Sequence, residues 1–218
     1  MNKLLHIIAT PREDESRTLQ ISEAFLKTFT PLHPDWVVED LNLTKEPLPP
    51  LTMKRVDGKY LILEGKELFG DLREGWREII AHINRFLSAS AYLISCPMWN
   101  FSIPYMLKQY IDIIVQPNFL FKYTKTGSEG LVLNRKMVVI ASYGGNYLSE
   151  QNSAQNFHEP YLRMIFGFVG ITDIQFIVAQ PTDMGSEREK KTVQQAIEAA
   201  KQLASNKNLF AKTLEKAG

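Results

Sequence analysis

Five short apolar runs, separated by amphipathic stretches, most limit what this chain can fold into. They are residues 3–9 (KLLHIIA), 36–41 (WVVEDL), 92–96 (YLISC), 136–142 (KMVVIAS) and 174–179 (IQFIVA). Each is too brief for a helix and reads as a buried strand. Apolar residues at helical spacing lie between them: Leu19, Phe25, Leu26 and Phe29; Leu72, Trp76, Ile79, Ile80, Ile83 and Leu87; Met106, Leu107, Tyr110, Ile113 and Ile114. Tyr161, Met164, Ile165 and Phe168, then Val193, Ile197, Ala200, Leu203 and Ala204, continue the pattern. Strands alternating with helices imply an α/β fold, a parallel sheet with right-handed crossovers and helices on both faces. In a 2-1-3-4-5 order the first, third and fourth strands are neighbours, with the switch point between the first and third.

Local signals set the boundaries. Ser16 is placed at the start of the first helix and Asp71 as a cap of a later one. Ser102 and Pro104 are read as the start of the helix that follows the third strand, and Ser186 to Glu189 as a capping box. Lys54 to Glu67 predicts one or two short helices. Phe119 to Gly130 shows no periodicity and is read as loop with a short extended piece, and the last helix is expected to fray toward Gly218. With no linker or repeat, residues 1–218 read as one domain.

Composition narrows the function. Lys and Arg total 25 and Asp and Glu 24, a balance that argues against nucleic acid as a partner and gives no polybasic membrane anchor. The single cysteine, Cys96, permits no intrachain disulfide and no cysteine-based metal cluster, and its apolar strand makes it a small buried hydrophobe. No apolar run reaches membrane-spanning length and no cleavable signal is evident, so a cytoplasmic setting is expected. His6 lies inside the first strand and is read as a satisfied sheet histidine.

The chemistry gathers where strands end. After the first strand, Thr10, Arg12, Ser16, Arg17 and Thr18 lead into a helix, whose free N–H groups and positive dipole end suit a phosphate. Neither a P-loop nor a G-x-G-x-x-G fingerprint is present. After the third strand comes Pro97-Met98-Trp99-Asn100-Phe101, unusually aromatic for a turn. Its rings either plug the core edge or wall a flat, partly apolar ligand. After the fourth strand, Tyr143-Gly144-Gly145 permits close backbone approach. A phosphate-type loop, an aromatic loop and a Gly-Gly loop on one rim match a ligand with a phosphate tail and a flat ring, and flavin mononucleotide (FMN) fits.

The motifs PMWNFSIP, LKQYID, FKYT, GSEGL, SYGG and YLRMIFGFVGITD, in this order, resemble the FMN-dependent NADH azoreductases, flavodoxin-like reductases of quinones and azo compounds. The resemblance spans nearly the whole chain. It implies that Thr10, Ser16, Arg17 and Thr18 hold the flavin phosphate, that Pro97 to Phe101 lie along the ring system, and that Ser142, Tyr143, Gly144 and Gly145 cover its other edge. It also implies Tyr123 and Phe168 as walls of the substrate pocket, NADH or NADPH as co-substrate, and a homodimer. Trp99 stands where many relatives have tyrosine, and Tyr143 where some have arginine. The expected chemistry is carried by the flavin, with no catalytic side chain named and no metal. The alternatives are a single-electron carrier or a flavin-binding module without catalysis. Carriers are usually shorter and strongly acidic, unlike this neutral chain.

Overall fold

A computed structural model describes residues 1–211; the expected fraying toward Gly218 lies outside them. Five parallel strands form the sheet: β1 (Asn2–Ile8), β2 (Trp36–Asn42), β3 (Ala91–Ser95), β6 (Lys136–Ser142) and β7 (Asp173–Ala179). Their order is β2-β1-β3-β6-β7, the expected 2-1-3-4-5 arrangement. Ile7 pairs with Leu41 on one side and Ile94 on the other, and Ile94 in turn with Val139, so the carboxyl ends of the central strands share one edge. A small antiparallel hairpin, β4 (Phe121–Thr124) and β5 (Gly127–Gly130), stands apart from the sheet. It corrects the expectation of a mostly irregular 119–130 segment: glycines at both ends of the second strand had masked the pairing.

Helices cover both faces. Helix α1 (Arg17–Leu32) and α7 (Ser186–Ala204) lie over one side, where Ile21, Phe25, Phe29 and Ala200 pack with Leu4, Leu93 and Val138. On the other, α3 (Gly70–Leu87), α4 (Tyr105–Ile114) and α6 (His158–Phe168) set Trp76, Ile83, Leu107 and Phe166 against Leu5, Ile7 and Ile94. Each of the Leu, Ile, Val and Phe side chains among them, fully buried, contributes roughly 1.5–3 kcal/mol of transfer free energy, which ties the helices to the sheet. Between β2 and α3 a single helix, α2 (Met53–Leu63), forms in the region expected to hold one or two. A short helix, α5 (Glu150–Ser153), precedes α6.

Three local expectations are revised. Asp71 is not a cap but sits in the first turn of α3, where its charge meets the positive dipole end. Ser102 does not start α4; it closes a two-residue turn with Trp99, and Pro104 precedes the helix. Ser186 to Glu189 forms no capping box, because α7 is entered from Gly185 without a side-chain cap and the Glu189 carboxylate is bonded to Arg17 instead.

Candidate cofactor site

The first loop is built around the start of α1. Ser16 is its cap: the Ser16 hydroxyl accepts from the Leu19 N–H at 3.3 Å and from the Thr10 hydroxyl at 3.1 Å. Thr10, Ser16 and Thr18 are nearly fully buried, and Thr18 Oγ1 meets Ser142 Oγ at 3.1 Å. This bond joins the first loop to the end of β6. Beneath it, Ser22 bonds the Thr18 carbonyl at 2.8 Å and also meets Ser95. His6 completes the network, with Nε2 2.7 Å from Ser95 Oγ and Nδ1 2.9 Å from Asp40. Both its nitrogens are satisfied, as read from the sequence.

The aromatic loop is held from two directions. The Met98 N–H donates to the Ser142 carbonyl at 2.9 Å, continuing the β3–β6 pairing past the strand end. Trp99 and Ser102 exchange both backbone hydrogen bonds, at 2.9 and 3.0 Å, around Asn100 and Phe101. These two have φ of 46° and 69°, the pattern of a type I′ turn. Neither is glycine, and a bulky residue held at positive φ marks a site where the surroundings over-determine the backbone. Phe101 is 47% exposed, so it does not plug the core.

A cleft of about 170 Å³ lies where these loops meet. Thr10, Arg12, Ser16, Arg17, Thr18, Pro97, Met98, Trp99, Ser142 and Gly144 line it, with Thr182 and Asp183. Trp99 and Asn100 also border an adjoining hollow of about 500 Å³ with Ser102, Tyr105, Lys108 and Tyr161. The three loops thus converge at the carboxyl edge of β1, β3 and β6. Size alone does not pick out this edge: a hollow of about 440 Å³ at the amino ends of the strands is bordered by His33, Arg135 and Lys207, and none of the three loops reaches it.

Not every expected residue faces the cleft. The Tyr143 ring is buried, and its hydroxyl lies 3.2 Å from His158 Nδ1 while Cys96 Sγ lies 3.3 Å from Nε2. This chain stitches the end of β3 to the Gly-Gly loop and to α6. Burial holds the His158 pKa down to about 4, against a weaker upward pull from Cys96, and pushes the Cys96 thiol up, so both are neutral. Gly145 packs toward Tyr147, whose ring a Cβ there would meet at 3.2 Å. Tyr123 is exposed on the hairpin, and Phe168 lines a different hollow of about 370 Å³ with Val56, Tyr60 and Phe121.

Sequence reasoning passed over the loop after β7. Thr182 and Asp183 line the cleft, and the Thr182 and Asp183 N–H groups reach the Gly144 carbonyl at 3.2 and 3.1 Å. The signal was available: Pro181-Thr182-Asp183 follows a strand at the same edge as the other three loops. Among the described residues no group of three His, Cys, Asp or Glu side chains could hold a metal, and no helix is long and apolar enough to cross a membrane.

Similarity to known proteins agrees with this layout. A protein from Desulfotalea psychrophila, named FMN-dependent NADH:quinone oxidoreductase, is 35% identical over 210 residues, covering 94% of this chain and 99% of its own length. One of the same name from Clostridium beijerinckii is 37% identical over 209 residues, covering 94% and 100%. The crystal structure of an FMN-dependent NADH-azoreductase from Bacillus anthracis in complex with FMN superposes with a TM-score of 0.81 at 32% identity, covering 94% of this chain and all of its own. The profile of the flavodoxin-like fold family matches residues 2–204, and with this sheet order and this switch-point cleft the chain belongs to that family.

Proposed function

We propose that the chain is an FMN-dependent NAD(P)H oxidoreductase that passes a hydride, by way of bound FMN, to quinones or azo compounds. The observation that carries this reading is the convergence of the three loops on one cleft at the β1/β3 switch point. The donor set fits the group. Thr10, Ser16 and Thr18 gather neutral hydroxyls at the α1 N-terminus, where free N–H groups favour a phosphate. Gly144 offers bare backbone beside the cleft, and a Cβ there would collide with the Asp183 carboxylate. Relatives at 35% and 37% identity that bear FMN and NADH in their names support the same assignment.

Bound FMN supplies the ring that accepts and donates the hydride. This chain's residues bind and orient it. In this reading Thr10, Ser16 and Thr18 surround the phosphate with Arg17 beside them, Pro97 to Phe101 wall the ring, and Ser142 to Gly145 close its other edge. Tyr143 contributes there through its backbone, since its ring is committed to His158. Trp99 borders both the inner cleft and the outer hollow, so the nicotinamide and the acceptor are placed in turn in the larger space.

The working form in this reading is a cytoplasmic homodimer of one FMN-binding domain per chain. Support comes from the exposed Met53, Val56, Tyr60 and Leu63 on α2, Tyr105 on α4, Tyr123 on the hairpin and Met164 on α6. Side chains of α2, α4 and α6 also border the hollow that Phe168 lines. Apolar surface of this extent on adjoining elements marks an association face. Tyr123 and Phe168 then wall the substrate pocket.

The test is an absorption spectrum of the isolated protein, followed by NADH titration without oxygen. A yellow flavin spectrum that bleaches with NADH and returns on adding a quinone is expected. Protein that is colourless and stays so after FMN is added overturns the reading. Steady NADH oxidation with a soluble quinone, and no partner protein, separates the reductase from an electron carrier.

A further inference from the structure

The arginine at the phosphate end of the cleft is already occupied. Its Nε–H donates to Glu189 Oε1 at 2.5 Å, and Nη1 donates to Asp183 Oδ1 at 2.7 Å and to Thr182 Oγ1 at 3.2 Å. Burial pulls the Arg17 pKa down, but the bonds to Glu189 and Asp183 outweigh it and raise the pKa above the ordinary value. One guanidinium against two carboxylates leaves this corner with a net negative charge. Just before Ser16, Glu13 pairs with Lys45 at 3.1 Å and Glu15 with Arg12 at 3.4 Å, and Asp14 adds a further negative charge. A phosphate arriving here meets Arg17 already paired, whereas Arg12, which also lines the cleft, has only an exposed contact to Glu15 at 3.4 Å. Pulling Arg17 toward the phosphate would leave Asp183 and Glu189 unneutralised beside another anion.

The same bonds have a mechanical effect. They tie the start of α1 to Asp183 in the β7–α7 connection and to Glu189 in the first turn of α7, across 166 and 172 residues of sequence. That connection grips Gly144: the Asp183 N–H donates to the Gly144 carbonyl at 3.1 Å, and its carboxylate fills the space a Cβ would take. Asp183 therefore touches Arg17 with its side chain and Gly144 with its backbone.

We propose that Arg17 is a positioning residue rather than a phosphate ligand. It holds the Thr182-Asp183 loop, and through it the Gly144 backbone, against the α1 end of the cleft. The phosphate is left to neutral hydroxyls, backbone N–H groups and the exposed Arg12. This rests on the FMN reading above.

The test is fluorescence titration of flavin-free protein with FMN and, separately, with riboflavin, well below each variant's melting temperature. The double variant R17M/D183N removes one positive and one negative charge, so the local net charge is unchanged. It is expected to bind both flavins about tenfold more weakly, with the FMN-to-riboflavin affinity ratio moving by less than about threefold. R17K keeps the charge but lacks the fork that reaches both acids, and is expected to lose part of the affinity for both flavins. A loss confined to FMN, in either variant, makes Arg17 a phosphate ligand and overturns the proposal. Undiminished affinity for both flavins, with only a lowered melting temperature, reduces Arg17 to a structural tie and overturns it as well. If the double variant does not fold, R17K decides by the same two readings. Wild-type protein that binds neither flavin overturns the FMN reading itself and this proposal with it.

Discussion

Acid should loosen the stitch between the loops at His158. The imidazole is fully buried between Cys96 and Tyr143, and burial holds its pKa to about 4, against 6.5 for an unburied histidine. The folded chain refuses a proton that the unfolded chain accepts. Stability from this group is therefore fully present above about pH 6.5 and is lost as pH falls toward about 4. Between about pH 7.5 and about pH 5 the loss comes to about 2 kcal/mol, since one pKa unit is worth about 1.4 kcal/mol. A chain of this size melts about 2–4 °C lower for each kcal/mol lost, which gives a fall of about 4–8 °C. Calorimetry of the wild type and His158→Gln at both pH values is the assay. His33 and His82, whose pKa values are also lowered by burial, and the carboxylates titrate in both proteins. The difference between the two shifts therefore isolates His158. The wild type should lose about 4–8 °C more than the variant on acidification. Equal losses, within about a degree, would refute the neutral, doubly bonded imidazole.

Three further outcomes are expected. Gly144→Ala places a Cβ against the Asp183 carboxylate, and flavin affinity should fall about tenfold or more by fluorescence titration; unchanged affinity would mean the loop yields freely. Trp99→Ala removes the wall shared by the cleft and the outer hollow; an aromatic contact is worth about 0.5–1.5 kcal/mol beyond its buried area, so KM for the quinone should rise several-fold with a smaller change in kcat. A fall in kcat alone would place Trp99 outside substrate binding. Met53→Asp with Tyr60→Asp puts charge on the exposed face of α2, and sedimentation is expected to show the proposed dimer for the wild type and a monomer for the variant. A wild type that sediments as a monomer would remove the dimer from the reading.

The alternation of apolar runs and helical stripes was enough to indicate a parallel sheet covered on both faces, while its 2-1-3-4-5 order, and with it the edge where the loops meet, was the arrangement the flavodoxin-like resemblance implied. Burial on both faces makes the central strands continuous apolar runs, as at Ile7, Ile94 and Val139, and one-sided burial gives the helices a period of 3.6. The cap at Ser16 was legible for the same reason, being a contact three residues long. What the sequence could not show were the partners of polar side chains across long separations. Arg17 looked like a free cation beside a phosphate loop, and only the packing of α7 against α1 brought Glu189 and Asp183 to it. Tyr143, expected among the residues that cover the ring's other edge, has its hydroxyl committed to His158 of α6. The hairpin of residues 121–130 was hidden because pairing between two strands leaves little trace where one begins and ends in glycine. Local periodicity is written along the chain, but a hydrogen bond between residues 166 or 172 apart depends on how helices settle on the sheet. That settling depends on the summed packing of both faces, and no single stretch of residues encodes it.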